Sequence, residues 1–228
     1  MSNVPQYYRA NRGVMTRFLP RSYRRVLEVG CGAGDFYDHL QQPCEVWGIE
    51  PNPEAAKAAS IKLHRVLIGR YDQMADQLPD GYFDLIICND VIEHMDDHDL
   101  FLEEIKKKLL PGGVIVGSIP NIRHITALFK ILITKNWRYS DSGILDRTHL
   151  RFFTERSLRH TLLDHGYLIQ MFGGVGSVIR HGIIQQSKKP SFLKNIGYQG
   201  VAIVVVLLTL GYYWDTQYPQ YAFRIKYE

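Results

Sequence analysis

The sequence predicts an α/β fold in which a mostly parallel sheet carries helices on both faces. Three observations lead to it. Short apolar runs alternate with helical segments from residue 25 to residue 119. The run FDLIIC at 83–88 is nearly continuously apolar, as a strand covered on both faces should be. The first run, RVLEV at 25–29, breaks into Gly30-Cys31-Gly32-Ala33-Gly34 before a helix.

Residues 1–22 carry aromatic and basic side chains and read as an opening helical cap. The first strand, 25–29, leads through the glycine loop to a helix over 35–41. The second strand, 46–49, ends at Glu50. Pro53 then suits the first turn of an Ala-rich helix over 53–60. Residues 66–68 form a third strand and 83–88 a fourth. An amphipathic helix over 99–109 is stopped by Pro111-Gly112-Gly113, and 114–119 is the fifth strand. After Pro120 the rhythm ends. Residues 121–153 hold Asn, Arg, His and aromatics with no βα period, and read as an insertion over the carboxyl edge of the sheet. A helix over 155–165 stops at Gly166, and 167–172 is a sixth strand. Residues 173–220 read as irregular, and 221–227 alternates as a final strand should. No internal repeat divides the chain, so residues 1–228 are expected to form a single domain.

At 228 residues the chain is long enough for one ordinary core. Its 46% hydrophobic and 22% charged content excludes a disordered chain. Lys and Arg exceed Asp and Glu by only 27 to 23 and are scattered, so no nucleic-acid partner is expected. Cys31, Cys44 and Cys88 lack the spacing of a zinc knuckle or redox pair. Reduced thiols and a cytoplasmic location follow as expectations. The polar residues 1–12 contain no secretory core. The run VAIVVVLLTL at 201–210 has about half of the roughly 20 residues needed to cross a bilayer. No transmembrane span is expected. The run reads first as a buried strand or short core helix. Its other reading is a membrane-surface or homo-oligomer contact, with Lys188, Lys189 and Lys194 preceding it.

The glycine loop carries the strongest chemical signal. Glycines let a ligand lie against bare backbone, and the loop falls where open α/β sheets bind ligands. Glu50 follows about 20 residues on, where a carboxylate can accept ribose hydroxyls. A dinucleotide fingerprint would place its third glycine where Asp35 stands. An acid there repels a pyrophosphate competing for the same helix start. No Gly-Lys-Ser/Thr is present, so a P-loop is excluded. A ribose-bearing cofactor without phosphates fits better. S-adenosylmethionine is one, and its positive charges suit Glu28 and Asp35.

The segments LEVGCGAGDF (27–36), WGIEPNP (47–53), FDLIICNDVIEHMDD (83–97) and LLPGGVIVGSIPN (109–121) together resemble the class I S-adenosylmethionine-dependent methyltransferases over roughly residues 20 to 170. SIPNIRH (118–124) followed by GILDRTHLRFFT (143–154) resembles methyltransferases of bacterial surface-polysaccharide and O-antigen synthesis, and more distantly the quinone O-methyltransferases. The resemblance implies a Rossmann-like seven-stranded sheet with an antiparallel last strand. It implies cofactor contacts from Glu28, Gly30, Cys31, Gly32 and Gly34 on the methionine and ribose side. Glu50 and Pro51 would meet the ribose, and Asn89 and Asp90 the methionine portion. Where the family often has an acid facing adenine after the third strand, this chain has Gly69-Arg70. Asp72 is the nearest candidate, with a backbone contact as its rival.

A hydroxyl acceptor gains from a base that takes its proton, and His suits neutral pH. His149 and His94 are the catalytic candidates, each with a structural alternative: pinning the insertion for His149, capping a loop for His94. No HExxH is present, and no metal site is expected, although Glu93, His94 and His98 lie close in sequence. Asn121, Arg123 and His124 follow the fifth strand and are candidates to line an acceptor site. Arg147 and Arg151 could engage an anionic acceptor, or pair with Asp141 and Asp146. Trp137, Tyr139, Phe152 and Phe153 could stack on a sugar or pack the insertion. The expected partner is a small-molecule or saccharide acceptor, methylated at a hydroxyl. A quinone, other small phenol or amine is the alternative acceptor. A nicotinamide-dependent oxidoreductase and a non-catalytic binding subunit are the competing classes.

Overall fold

The computed structural model describes residues 13–176, 200, 203–204 and 211–227. Its strands are β1 (Arg25–Val29), β2 (Glu45–Glu50), β3 (Arg65–Ile68), β4 (Phe83–Asn89), β5 (Leu109–Pro120), β6 (Tyr167–Val175) and β7 (Gln220–Tyr227). They form one sheet in the order β3-β2-β1-β4-β5-β7-β6. The pairs from β3 to β5 are parallel. β7 inserts antiparallel between β5 and β6.

The helices are α1 (Pro53–Ala59), α2 (Tyr71–Met74), α3 (His98–Lys108), α4 (Ile125–Leu132) and α5 (Glu155–Asp164). Successive strand residues face opposite sides, so β1 feeds two cores. Leu27 and Val29 join Phe101, Ile105, Leu158 and Leu162 of α3 and α5. Val26 joins Met15, Phe18 and Ala59 on the other face. Local chemistry sets the helix ends. Asn52 accepts from Glu54 N and Ala55 N to start α1, Asp97 caps α3, and Thr154 with Ser157 forms a capping box for α5.

Several boundaries differ from expectation. The helix expected over 35–41 is a 3-10 turn, Asp35–His39; Pro43 favours an extended Gln42. The helix before β5 ends at Lys108, and pairing resumes at once. Phe83 faces Leu109, then Leu85 faces Val114, so Pro111-Gly112-Gly113 is a bulge inside the strand rather than the end of a helix. The insertion 121–153 contains α4, which the sequence reading did not separate. β6 extends to Val175, beyond the expected 172. Of the opening cap, residues 1–12 lie outside the described residues; 13–18 form a 3-10 turn, Gly13–Phe18. Most of the run 201–210 also lies outside them. Ile203 and Val204 are helical, and at 40% and 52% exposure they are not buried. Among the described residues, no helix is long and apolar enough to cross a membrane.

Candidate functional site

Parallel pairing brings the carboxyl ends of β1, β2 and β4 to one edge. A cavity of about 560 Å³ opens there, within the range of roughly 300–1,000 Å³ usual for small-molecule sites. The glycine loop forms its floor. Gly30 N and Cys31 N donate to Ile49 O at 2.8 and 3.1 Å, tying the loop to β2. Gly32 adopts φ 54°, a left-handed conformation that suits glycine, and its N–H donates to Glu50 Oε2 at 2.9 Å. Asn52 N donates to Glu50 Oε1 at 2.9 Å. A carboxylate oxygen accepts more than one hydrogen bond, so Glu50 can hold the loop and a ligand hydroxyl together. Gly34 stands back from the cavity. A Cβ there would lie 3.2 Å from Ala59 Cα, so its bare backbone serves helix packing.

Glu28, Gly30, Cys31, Gly32, Glu50, Pro51, Asn89 and Asp90 all line the cavity. Burial raises the Cys31 thiol well above its ordinary pKa, with Glu28 and Glu50 adding to the effect. It is a neutral wall group rather than a nucleophile. Asp90 has φ 55°, uncommon for a residue with a side chain. Its Oδ1 accepts from Ser118 Oγ at 3.0 Å and Gln220 Nε2 at 2.7 Å. Asp72 is not on the wall; it is exposed and meets Arg70 Nε at 3.4 Å. Gly69, Arg70 and Tyr71 line the cavity at that end. The sequence marked Gly69-Arg70 here only as the place of a rival backbone contact to Asp72, and Tyr71 not at all, although their position at the carboxyl end of β3 was the available signal.

The opposite wall comes from the turn after β4 and from the insertion. His94, Met95, Asp141, Asp146, Arg147 and Thr148 line it. Backbone bonds from Leu150 N and Arg151 N to Glu93 O, at 2.8 and 3.2 Å, clamp the two segments together. His94 Nδ1 lies 3.0 Å from Thr148 O. A carbonyl only accepts, so Nδ1 carries the proton and the lone pair of neutral His94 is on Nε2. His149 sits behind it, buried, with ring centroids 4.8 Å apart. Its Nδ1 donates to Ile144 O at 3.1 Å, and burial holds its pKa below the ordinary value. Burial alone would raise the Asp146 carboxyl. Hydrogen bonds from Thr148 N and Oγ1, at 2.8 and 2.7 Å, outweigh that and hold it low. One ligand atom each from Glu93, His94 and His149 lies within 4.8 Å of the others, a set able to hold a divalent cation.

The acceptor-side candidates divide. Arg147 is on the wall, paired with Asp141 at 2.6 Å. Arg151 donates to Asp96 O at 3.3 Å, off the wall. Asn121 is fully buried and its amide donates to Asp215 O and Tyr218 O at 3.0 and 2.9 Å. Arg123 forms an ion pair with Asp215 at 2.5 Å and stacks over Tyr213. His124 is buried beside Thr126. Asn121 and Arg123 tether the segment before β7 to the end of β5, while His124 stands at the turn into α4.

Six carboxylates line the cavity, from Glu28, Asp35, Glu50, Asp90, Asp141 and Asp146, against two guanidiniums, Arg70 and Arg147. Both arginines are already paired with Asp side chains. That excess of acid suits a cationic, phosphate-free cofactor and opposes a pyrophosphate. The residues present therefore fit S-adenosylmethionine.

A family model described as a methyltransferase domain matches residues 4–170. The chain is 31% identical over 156 residues to a ubiquinone biosynthesis O-methyltransferase of Psychrobacter arcticus, covering 64% of this chain and 60% of that protein. It is 34% identical over 167 residues to one of Bradyrhizobium diazoefficiens, covering 66% and 61%. The chain thus spans about three-fifths of the length of these relatives. A SAM-dependent methyltransferase from Archaeoglobus fulgidus superposes with a TM-score of 0.61 at 21% identity, covering 97% of this chain and 96% of that one.

Proposed function

The chain belongs to the methyltransferase-domain family, the class I S-adenosylmethionine-dependent methyltransferases, and from that premise we propose that it methylates a hydroxyl of a small phenol of the quinol type. The observation that carries this reading is one cavity lined by Glu50 at the glycine loop and by His94 on the opposite segment. When bound, S-adenosylmethionine supplies an electrophilic methyl on a sulfonium, and its transfer leaves S-adenosylhomocysteine. The chain's part is to hold, align and deprotonate. Glu50 and the backbone of Gly30 and Gly32 hold the ribose side, and Glu28, Asn89 and Asp90 face the cationic portion. His94 Nε2 takes the acceptor proton. His149 stands behind it, buried and neutral, and fixes the ring.

A phenol is favoured over a saccharide by the similarity to the ubiquinone biosynthesis O-methyltransferases of Psychrobacter arcticus and Bradyrhizobium diazoefficiens. Purified chain with methyl-labelled cofactor should label catechols and quinols. Label passing only to nucleotide sugars would restore the saccharide acceptor.

The cluster of Glu93, His94 and His149 favours a second route to the same product. Both histidines give Nδ1–H to backbone carbonyls, the arrangement that presents Nε2 to a cation. A bound divalent ion would then lower the pKa of the acceptor hydroxyl in place of a free base. Turnover abolished by a chelator and restored by one divalent metal supports this route. Turnover indifferent to the chelator leaves His94 as the base.

A further inference from the structure

We propose that Ser118 and Gln220 are positioning residues for Asp90, and that the carboxylate they aim lets the cavity tell S-adenosylmethionine from S-adenosylhomocysteine by the charge on sulfur. Asp90 follows β4 on the cavity wall, at φ 55°. A side chain in that conformation persists where its surroundings hold it. Ser118, in β5, holds it twice. Asp90 N donates to Ser118 O at 2.9 Å, and Ser118 Oγ donates to Asp90 Oδ1 at 3.0 Å. Gln220, the first residue of β7, donates from Nε2 to the same oxygen at 2.7 Å. Ser118 is buried, and Gln220 pairs with Pro120 on one side and Val175 on the other, so both donors stand on fixed backbone. Neither is on the cavity wall; each acts through Asp90. Both are neutral, so they fix the direction of the carboxylate and leave its charge in place.

Asp90 stands where the reacting sulfur must come. On one side is the glycine loop: a Cβ on Gly30 would lie 2.9 Å from Cγ2 of Val91, the residue after Asp90. On the other side are the two histidines: burial lowers the His149 pKa, and the charge of Asp90 works against it. A cofactor held at Glu50 with its methyl toward His94 therefore brings its sulfonium past Asp90. Other acids of the cavity are engaged elsewhere. Asp35 pairs with Lys62 at 3.1 Å and Asp141 with Arg147 at 2.6 Å, and Asp146 accepts from Thr148. Methyl transfer breaks the C–S bond and leaves its electron pair on sulfur, while the C–O bond forms and the acceptor proton goes to the base. The positive charge beside Asp90 is then gone. Opposite charges attract more strongly in a cavity than in open water, so Asp90 favours the cofactor over its product. The inference rests on the cofactor reading of the cavity and deepens it.

The test is calorimetric titration of the purified chain with S-adenosylmethionine, S-adenosylhomocysteine and sinefungin, an analogue with a protonated amine in place of the methylsulfonium. Asp90→Asn removes the charge, keeps the shape and tolerates a positive φ. It should raise the dissociation constants of S-adenosylmethionine and sinefungin roughly tenfold and leave that of S-adenosylhomocysteine unchanged. Gln220→Leu and Ser118→Ala keep the charge and lose one donor. Each should move the ratio of the first constant to the last in the same direction, by roughly two- to tenfold. A merely structural role would weaken all three ligands alike, or lower the melting temperature alone. Either result overturns the proposal, as does an unchanged ratio in Asp90→Asn. A ratio that moves in Asp90→Asn but in neither Gln220→Leu nor Ser118→Ala overturns the positioning roles. A wild-type chain that binds none of the three ligands rejects the cofactor reading together with the proposal. No acceptor enters the titration, so a failed phenol assignment shows separately, in turnover.

Discussion

Glu50 holds the glycine loop at the cavity floor, where its carboxylate accepts from Gly32 N and Asn52 N, and the proposed ribose contact falls on the same side chain. Glu50→Ala should weaken S-adenosylmethionine binding by roughly tenfold or more, at about 1.4 kcal/mol per decade. Calorimetry checks this, and an unchanged dissociation constant would remove the ribose assignment. A second residue sets an acid limit on the fold. Burial pushes the His124 pKa down to about 4, against about 6.5 when unfolded. As pH falls, the unfolded chain takes up its proton first. Stability is therefore full above about pH 6.5 and declines toward pH 4, by on the order of 3 kcal/mol. His149, also held low by burial, acts in the same direction. Urea midpoints measured across that window should fall for the wild type and fall less for His124→Gln. Equal slopes would contradict this reading of His124. At this scale the sequence was informative where backbone position dictates chemistry. The residues 28, 30, 32 and 50 were read from their place at strand ends, and all four line the cavity. It was uninformative at Asn121, Arg123 and His124. A polar side chain after a strand reads the same whether it faces a substrate or ties two segments together.

At the scale of elements, the insertion is built on that tie. Asn121 is fully buried and serves two carbonyls of the segment before β7. Asn121→Ala leaves Asp215 O and Tyr218 O without it, at about 1–3 kcal/mol for each group left unsatisfied. The expected outcome is a loss of about 2–4 kcal/mol in denaturant unfolding, with acceptor KM little changed at temperatures where the variant is folded. Normal stability with a raised KM would instead put Asn121 on the acceptor wall. α4 escaped the sequence reading for a physical reason. No side-chain hydrogen bond caps its start, and only Ile125 and Ala127 within it are buried, so its apolar pattern does not mark one core-facing stripe. The bulge in β5 escaped for another reason: Pro-Gly-Gly ends helices and also kinks strands, and only pairing with Phe83 and Leu85 decides between them.

For the whole molecule, the order of strands follows from alternation. Parallel strands joined by helices favour a sheet covered on both sides, and the largely apolar β4 sits beside β1 near its centre. The place of β7 between β5 and β6 was legible only through the family resemblance, because its alternation gives a strand but no neighbours. The wall opposite the glycine loop was least legible, since it comes from segments far apart in sequence: 90–95 after β4 and 141–148 in the insertion. The central claim is that this cavity transfers a methyl group to a phenolic oxygen with His94 taking the proton. The most direct test incubates wild type and His94→Ala with labelled S-adenosylmethionine and a catechol, and quantifies both products. The expected result is labelled methyl ether and S-adenosylhomocysteine in equal amounts. The rate in His94→Ala should be about 10²–10⁴-fold lower at unchanged cofactor affinity. Cofactor binding with no label on any phenol, or His94→Ala turning over at the wild-type rate, would contradict it.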